Sequence, residues 1–96
     1  MPKGYFILTE VIRDREGMNA YAQAAGPTLA ESSASVLVVD AHPEILEGQW
    51  PVDQTVVLEF ESVEAARAWY HSDAYQAAAK LRHAAADAHA IIASGL

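Results

Sequence analysis

The sequence contains no cysteine. Disulfide bridges, cysteine-ligated zinc or iron–sulfur sites and thiol nucleophiles are therefore excluded. Basic residues are also scarce, since 6 Lys and Arg stand against 13 Asp and Glu and give a net charge of −7. Nucleic-acid-binding surfaces and contacts with anionic membranes both depend on clustered Lys and Arg. Neither a nucleic acid nor a membrane is thus an expected partner.

Long hydrophobic runs are missing as well. Lys3 is followed by only four consecutive apolar residues, 5–8, whereas a secretory signal needs about 7–15 and a membrane-spanning helix about 20. Without an export signal or disulfides, the chain is expected to be cytoplasmic. A length of 96 residues predicts a single domain over residues 1–96, because so short a chain cannot form two cores of useful size.

Apolar residues are nevertheless abundant, at 52% of the chain. Twenty of them are alanine, so the larger apolar side chains suffice for one two-layer core. Residues 4–13, 35–41 and 54–61 are rich in β-branched and aromatic residues and are predicted strands, with 88–93 as a weaker one. Segments with helical spacing follow the first and third strands. With right-handed crossovers, this β-α-β-β-α-β order predicts a ferredoxin-like α+β fold, an antiparallel sheet with helices on one face.

Local signals set the expected helix boundaries. Asp14 and Ser62 are good N-caps, and Ser72 predicts a fresh helix start. The Gly26–Pro27 step predicts a kink or a restart in the first helix, because proline removes a hydrogen bond and clashes with the preceding turn. Residues 44–47 are expected to run back as a short hairpin arm.

The first strand is apolar on both of its faces. Tyr5 and Ile7 point to one side, and Phe6 and Leu8 point to the other. Helices on one side cover only one face, and a half-covered antiparallel sheet normally alternates apolar and polar residues. The pattern therefore predicts a homodimer through the sheet faces, in which two sheets form a barrel.

Several short sequence motifs are distributed along the whole chain: Lys3-Gly4-Tyr5, Ala25-Gly26-Pro27, Leu46-Glu47-Gly48 with Trp50-Pro51, Val57 to Phe60, and Glu64 to Tyr70 followed by Ser72, Tyr75-Gln76 and Arg82. Together they resemble a small bacterial family of unknown function in the dimeric α/β-barrel superfamily. The resemblance covers essentially the whole chain and implies a ferredoxin-like subunit that dimerises into a barrel. It implies no reaction, because relatives in the superfamily range from cofactor-free monooxygenases to lactone isomerases and haem-binding enzymes.

Two carboxylates are the first candidates for catalysis. Glu10 and Glu59 each interrupt an otherwise apolar central strand, and the two strands are expected to be parallel neighbours. If both side chains point away from the helices, they face the dimer cavity, where partial desolvation raises a carboxyl pKa and suits a general base. The alternative is that they are solvated at the barrel mouth, or paired with Arg13 or Arg67.

Histidines are the second group of candidates. His42 ends the second strand and His89 lies in the last one, so either would enter the cavity as an acid, a base or a haem ligand. His71 and His83 lie beside charged helical neighbours and are expected to be exposed. No pair has a recognised metal-ligand spacing, and the sequence predicts neither a metal nor another cofactor.

Aromatic and basic side chains supply candidates for substrate binding. Trp69 and Tyr75 are expected to line a crevice between a helix and a loop, with Trp50 joining them. Arg67, like Arg82, would bind a substrate carboxylate through both guanidinium arms. The alternatives are core packing for the aromatic residues and pairing with nearby acidic residues for the arginines.

Three hypotheses follow from these patterns. The first is a small cofactor-independent enzyme that acts on a modest organic molecule in the barrel, with monooxygenase- or isomerase-like proton transfer by Glu10, Glu59 or His42. The second is a non-catalytic module that binds a small ligand in the same cavity. The third is a purely structural homodimer whose barrel is filled with side chains.

Overall fold

The computed structural model describes residues 2–96. Its elements are β1 (Gly4–Ile12), α1 (Arg15–Glu31), β2 (Ser35–Asp40), β3 (Gln54–Phe60), α2 (Val63–Tyr70), α3 (Asp73–Ala85) and β4 (Ala86–Ser94). The strands form a sheet in the order β2-β3-β1-β4, and every neighbouring pair is antiparallel. The predicted ferredoxin-like α+β fold is confirmed.

Alternation along the central strands decides which side chains form the core. Phe6 and Leu8 of β1 are both 2% exposed, whereas Tyr5 and Ile7 are only half-buried. On β3 the same alternation buries Leu58 beside them. Burying these side chains beneath the helices is the main source of stability, because each fully buried large apolar side chain contributes roughly 1.5–3 kcal/mol.

The helices begin where their capping residues predict. Asp14 Oδ1 accepts a hydrogen bond from the Gly17 N–H at 3.2 Å, and Ser62 Oγ accepts one from the Ala65 N–H at 3.0 Å. Ser72 caps α3 in the same way. These bonds satisfy amide groups that would otherwise lack partners at the first turn. Within residues 2–96, none of the helices has the length and apolar character needed to cross a membrane.

Two local expectations are corrected. Helix α1 continues through Pro27 to Glu31, so the expected restart is wrong. In the turn after the proline, the buried Thr28 donates to the Ala25 carbonyl and accepts a bond from Trp69. Residues 44–47 form no strand. Strand β4 is longer than expected, because it pairs with β1 along its whole length.

The helical layer is unevenly packed on the sheet. Helices α2 and α3 carry the aromatic side chains that fill the core, with the Trp69 and Tyr75 ring centroids 4.0 Å apart and Phe6 close to both. Helix α1 packs chiefly on α3, and the side that it turns towards the sheet carries the small residues Ala22 and Ala25. A cavity is left beneath α1.

The other face of the sheet is open. Ile7 of β1 and Val57 of β3 point away from the helices, and Ile91 of β4 beside them is 57% exposed. In the part of the chain that the structure describes, no helix covers this face. It is the apolar surface on which the expectation of a homodimer depends.

Candidate functional site

The structure places Glu10 and Glu59 on opposite faces of the sheet. Glu10 follows Phe6 and Leu8 on the helix-covered side and is 1% exposed, whereas Glu59 is half-buried on the open side. Because β1 and β3 are antiparallel, Glu10 lies opposite Gln54 and Glu59 lies opposite Tyr5. The expectation that these strands are parallel is wrong, since a crossover followed by a hairpin reverses the direction of β3. The two carboxylates do not share a site.

Glu10 is a buried carboxylate with incomplete hydrogen bonding. Its Oε2 accepts a bond from Gln54 Nε2 at 3.3 Å, while its Oε1 has no hydrogen-bond partner among residues 2–96. Burial raises the pKa of the Glu10 carboxyl above its ordinary value of 4.5, and the Arg82 charge and the Gln54 bond oppose that rise only in part. Such a carboxylate is a stronger base than one in water.

Glu10 lines a cavity of about 220 Å³ between α1 and the sheet. Its walls are otherwise apolar except for Gln54 and Tyr21, and they come from α1 and from strands β1, β2 and β3. Pockets for drug-sized molecules typically span about 300–1,000 Å³. The cavity therefore suits a smaller and largely apolar molecule, and Glu10 is one of the few polar residues that line it.

A chain of three polar side chains extends from the cavity into the helical layer. The Tyr21 and Tyr75 hydroxyl oxygens are 2.9 Å apart, and Arg82 Nη2 donates to the Tyr75 hydroxyl at 3.4 Å. Burial and the neighbouring Tyr75 raise the pKa of Tyr21, so its hydroxyl is protonated at neutral pH. Burial acts to lower the pKa of Arg82, but the two tyrosines more than offset it, so the guanidinium stays charged.

Glu59 has a different environment. Its Oε2 accepts a hydrogen bond from the Tyr5 hydroxyl at 2.9 Å, and this bond raises the pKa of Tyr5. Both side chains lie on the open face, outside the cavity that Glu10 lines. The geometry therefore makes Glu59 part of the open surface and separates it from Glu10.

The structure does not bring the candidate histidines to this cavity. His42 is exposed in the bend after β2, where its backbone N–H donates to Asp40 Oδ1, and His89 is exposed on β4. Across residues 2–96, no three side chains of His, Asp or Glu are grouped as ligands for a metal ion.

The aromatic residues predicted to bind substrate lie in different parts of the structure. Trp69 and Tyr75 are adjacent and buried, and Trp69 Nε1 donates to Thr28 Oγ1 at 2.9 Å, so both belong to the core. Trp50 is 48% exposed and donates to Thr55 on the open face. Arg67 is exposed on α2. The predicted crevice formed by Trp50, Trp69 and Tyr75 is therefore not present.

Sequence reasoning missed Gln54 and Tyr21. The signal for Gln54 was available, because counting in steps of two along β1 places Glu10 with Phe6 and Leu8 beneath the helices. The antiparallel register then brings Gln54 opposite Glu10. Tyr21 follows the helical spacing of α1 together with Ala22, Ala25 and Leu29, but that spacing does not indicate its hydrogen bond to Tyr75, which depends on the packing of α1 against α3.

The fold defines the class: a ferredoxin-like α+β subunit, here with a small open cavity beneath its first helix. Residues 3–96 match the family described as "Domain of unknown function (DUF1330)". The chain belongs to that family, which confirms the resemblance to a family of unknown function. A comparison with curated proteins finds no significant match.

Several solved structures share this fold. A protein of unknown function from Rhodopseudomonas palustris superposes with a TM-score of 0.82 at 22% identity, over 99% of this chain and 83% of that one. SnoaB, a cofactor-independent oxygenase from Streptomyces nogalater, gives 0.69 at 8% identity over 100% and 95%. A dimeric protein of unknown function and ferredoxin-like fold from Bacteroides fragilis gives 0.63 at 14% over 96% and 95%. At these identities the likeness shows the fold.

Proposed function

We propose that this protein is an enzyme that works without a bound cofactor, with Glu10 as a general base acting on a small organic molecule in the cavity beneath α1. Glu10 Oε1 takes a proton from a weakly acidic O–H or C–H group, and the electron pair stays on the substrate as an oxyanion or enolate. The proposal depends chiefly on one observation: Glu10, a buried carboxylate with one unpartnered oxygen, is among the residues that line a largely apolar cavity.

The surroundings of Glu10 support this role. A carboxylate buried without full hydrogen bonding is costly for folding, so its presence calls for an explanation in function. Its raised pKa brings it closer to the range in which a base is effective near neutral pH. SnoaB, whose fold is similar, is a cofactor-independent oxygenase, and this agrees with a proposal of chemistry without a bound cofactor.

The same proposal includes a homodimer through the open face of the sheet. Ile7, Val57 and Ile91 form an apolar surface there, and monomeric proteins seldom leave large patches of this kind exposed. The Bacteroides fragilis protein with this fold is dimeric. In such a dimer the second copy covers the open face, and the cavity beneath α1 remains within each subunit.

The test is proton exchange with solvent. A panel of small phenols and enolisable ketones is incubated with the protein in D₂O, and the loss of carbon-bound proton signals is followed by NMR. At least one compound should exchange faster with the protein, and Glu10→Gln should slow that exchange at least about 100-fold, since a positioned general base contributes roughly 10²–10⁴-fold. The wild-type rate should rise with pH until Glu10 is fully ionised.

Glu59→Gln is the matched control, because it makes the same change on the neighbouring strand at the opposite face. It should leave exchange unchanged. If no compound exchanges faster with the protein, or if Glu10→Gln keeps the full rate while folded by circular dichroism, the enzymatic role is refuted. Glu10-independent binding would then support the alternative of a non-catalytic binding module.

A further inference from the structure

Among residues 2–96, Glu10 and Arg82 are the two charged side chains that are buried, at 1% and 3% exposure. They carry opposite charges, one on β1 beneath the helices and the other on α3. They do not form a direct ion pair in that range, where the ion pair present joins the exposed residues Arg13 and Asp87. A buried charge without compensation is costly, so the presence of both charges needs a physical reason.

The sheet register and the packing of α3 bring Arg82 near Glu10. Ala88 of β4 lies directly opposite Glu10, and Ala88 and Arg82 line one groove between α3 and β4. Tyr21 lines the cavity beneath α1 together with Glu10, and the guanidinium carbon of Arg82 lies 5.7 Å from the centre of the Tyr21 ring. Ala88 and Tyr21 are therefore each a neighbour of both charged groups.

Arg82 differs from the other groups near Glu10 because it carries a charge. The titratable groups come from the helices, and they are Tyr21, Tyr75 and Arg82, while β3 adds the neutral Gln54. Away from water a charge is weakly screened, so the guanidinium acts on the carboxylate beyond the distance of an ion pair. In this way Arg82 opposes the rise in the Glu10 pKa that burial causes.

The surroundings of Arg82 favour its charged form. Its Nη2 donates to the Tyr75 hydroxyl at 3.4 Å, and its guanidinium lies over the face of Tyr21, which attracts a cation. Its Nε has no hydrogen-bond partner among residues 2–96, so hydrogen bonds satisfy the group only in part. Compensation of the Glu10 charge supplies a reason for burying an arginine here that hydrogen bonding does not.

We infer that Arg82 is a positioning residue for Glu10: its buried positive charge holds the Glu10 carboxylate in the ionised form that can accept a proton. Burial alone favours the protonated form, which cannot act as a base. This role needs no contact between Arg82 and a substrate, in contrast to the carboxylate binding that the sequence suggested. The inference rests on the proposed function only in treating Glu10 as the base.

The titration of Glu10 tests the inference without any turnover. NMR of the ¹³C-labelled carboxyl carbon follows the ionisation of Glu10 in each variant. Arg82→Met removes the charge, and apolar residues often replace buried charged partners without loss of folding. It should move the Glu10 midpoint upwards by about 1 pH unit, the lower end of the effect of an opposite charge nearby. Arg82→Lys keeps the charge and should move the midpoint by less than half as much.

Arg13→Met is the matched control, because it makes the same change at an exposed arginine on the protein surface. It should leave the Glu10 midpoint unchanged, since solvent screens an exposed charge. An unmoved midpoint in folded Arg82→Met, or an equal upward shift in Arg82→Lys, would overturn the inference. If circular dichroism shows that Arg82→Met is unfolded, Arg82→Gln is the neutral variant to titrate, because its amide keeps a hydrogen-bond donor, and the same shift is expected.

The pH profile of proton exchange connects this shift to the proposed reaction. For a compound whose exchange depends on Glu10, the midpoint of the rate profile should move upwards in Arg82→Met together with the NMR midpoint. The rate at high pH should not fall, because Glu10 is then ionised in both proteins. A reduced rate at high pH with an unmoved midpoint would contradict a role through the ionisation of Glu10.

The outcomes separate this inference from the proposed function. Glu10-dependent exchange together with an unmoved NMR midpoint in Arg82→Met would refute the role of Arg82 and leave the general base. A moved midpoint without exchange of any compound would keep the effect of Arg82 on Glu10 and refute the enzyme.

Discussion

The two faces of the sheet treat the same residue type in opposite ways. Glu10 on the helix-covered face is 1% exposed, with one oxygen unpartnered within residues 2–96 and a raised pKa. Glu59 on the open face is half-buried and accepts a bond from the Tyr5 hydroxyl. Successive side chains of a strand point to opposite faces, and Glu10 and Glu59 occupy positions of opposite parity on two neighbouring strands. The role of a carboxylate in a strand therefore depends first on the sheet face that its side chain occupies, and then on the residues beside it.

The largest expected difference between the faces lies in packing. Phe6→Ala should lower the free energy of unfolding by about 3–5 kcal/mol, because Phe6 is 2% exposed and packs against Trp69 and Tyr75. Ile7→Ala, one residue further along β1, should instead lower the free energy of unfolding by an amount that depends on protein concentration, since Ile7 belongs to the proposed dimer surface. Urea unfolding at several concentrations measures both. If Ile7→Ala lowers the free energy of unfolding as much as Phe6→Ala does, and independently of protein concentration, the two faces do not differ in this way.

The dimer itself is tested on the open face. Ile91→Asp should weaken self-association at least about 30-fold, because the substitution buries a charge in the interface. Leu81→Asp on α3 is the control, since Leu81 is an apolar residue that is 41% exposed on the helical side. Sedimentation equilibrium gives the dissociation constants. A wild-type mass near 10.3 kDa at micromolar concentration would show that the open face is not an interface.

Two matching hydrogen bonds sharpen the comparison. Trp69 Nε1 donates to Thr28 on the covered side and Trp50 Nε1 donates to Thr55 on the open side, each at 2.9 Å. Thr28→Val should cost about 1–3 kcal/mol, because it leaves the buried Trp69 N–H unsatisfied. Thr55→Val should cost less than about 0.5 kcal/mol at concentrations where the protein is monomeric, since Trp50 is 48% exposed and water replaces the partner that it loses. Thermal unfolding of the two variants should rank them in this order, and equal losses would contradict it.

The smallest expected effect is the pH dependence that Glu10 brings. Its pKa in the folded protein lies above the ordinary value of 4.5, so the folded state binds more protons than the unfolded state between those two values. Stability should therefore fall as pH rises through that window, and the loss should be complete above the raised pKa.

Glu10→Gln removes that titration. The variant should show a flatter stability profile than the wild type and should be at least as stable at neutral pH. Denaturant unfolding at a series of pH values measures the two profiles. A steep loss of stability in Glu10→Gln at neutral pH would show that the carboxylate is a structural partner of Arg82 and not a strained base.

Much of the fold was predictable because its signals are local. The caps at Asp14, Ser62 and Ser72 and the β-branched runs of the strands lie within a few residues of the structure that they specify. The course of α1 through Pro27 was not predictable in this way. The turn after the proline is held by the bond between Thr28 and Trp69, which are far apart in the sequence.

The candidate site was predictable only in part. Glu10 was recognised as a candidate from its place in an apolar strand, but its face was left open although the alternation with Phe6 and Leu8 decides it. Tyr21 was missed because its meaning depends on Tyr75 and Arg82, which reach it only when α1 packs on α3. Packing between helices leaves no short-range pattern in the sequence.

Two elements contribute different properties to the cavity. Ala22, Ala25 and Gly26 of α1 line it with small residues, whereas Glu10 and Gln54 supply polar groups from the strands. A larger side chain at one of the helical positions would reduce the space without moving the carboxylate. Under the proposed function, single substitutions on α1 during divergence would change the size of the molecule that fits while Glu10 is kept. The same separation makes α1 the element to vary when the protein is redesigned for a molecule of another shape.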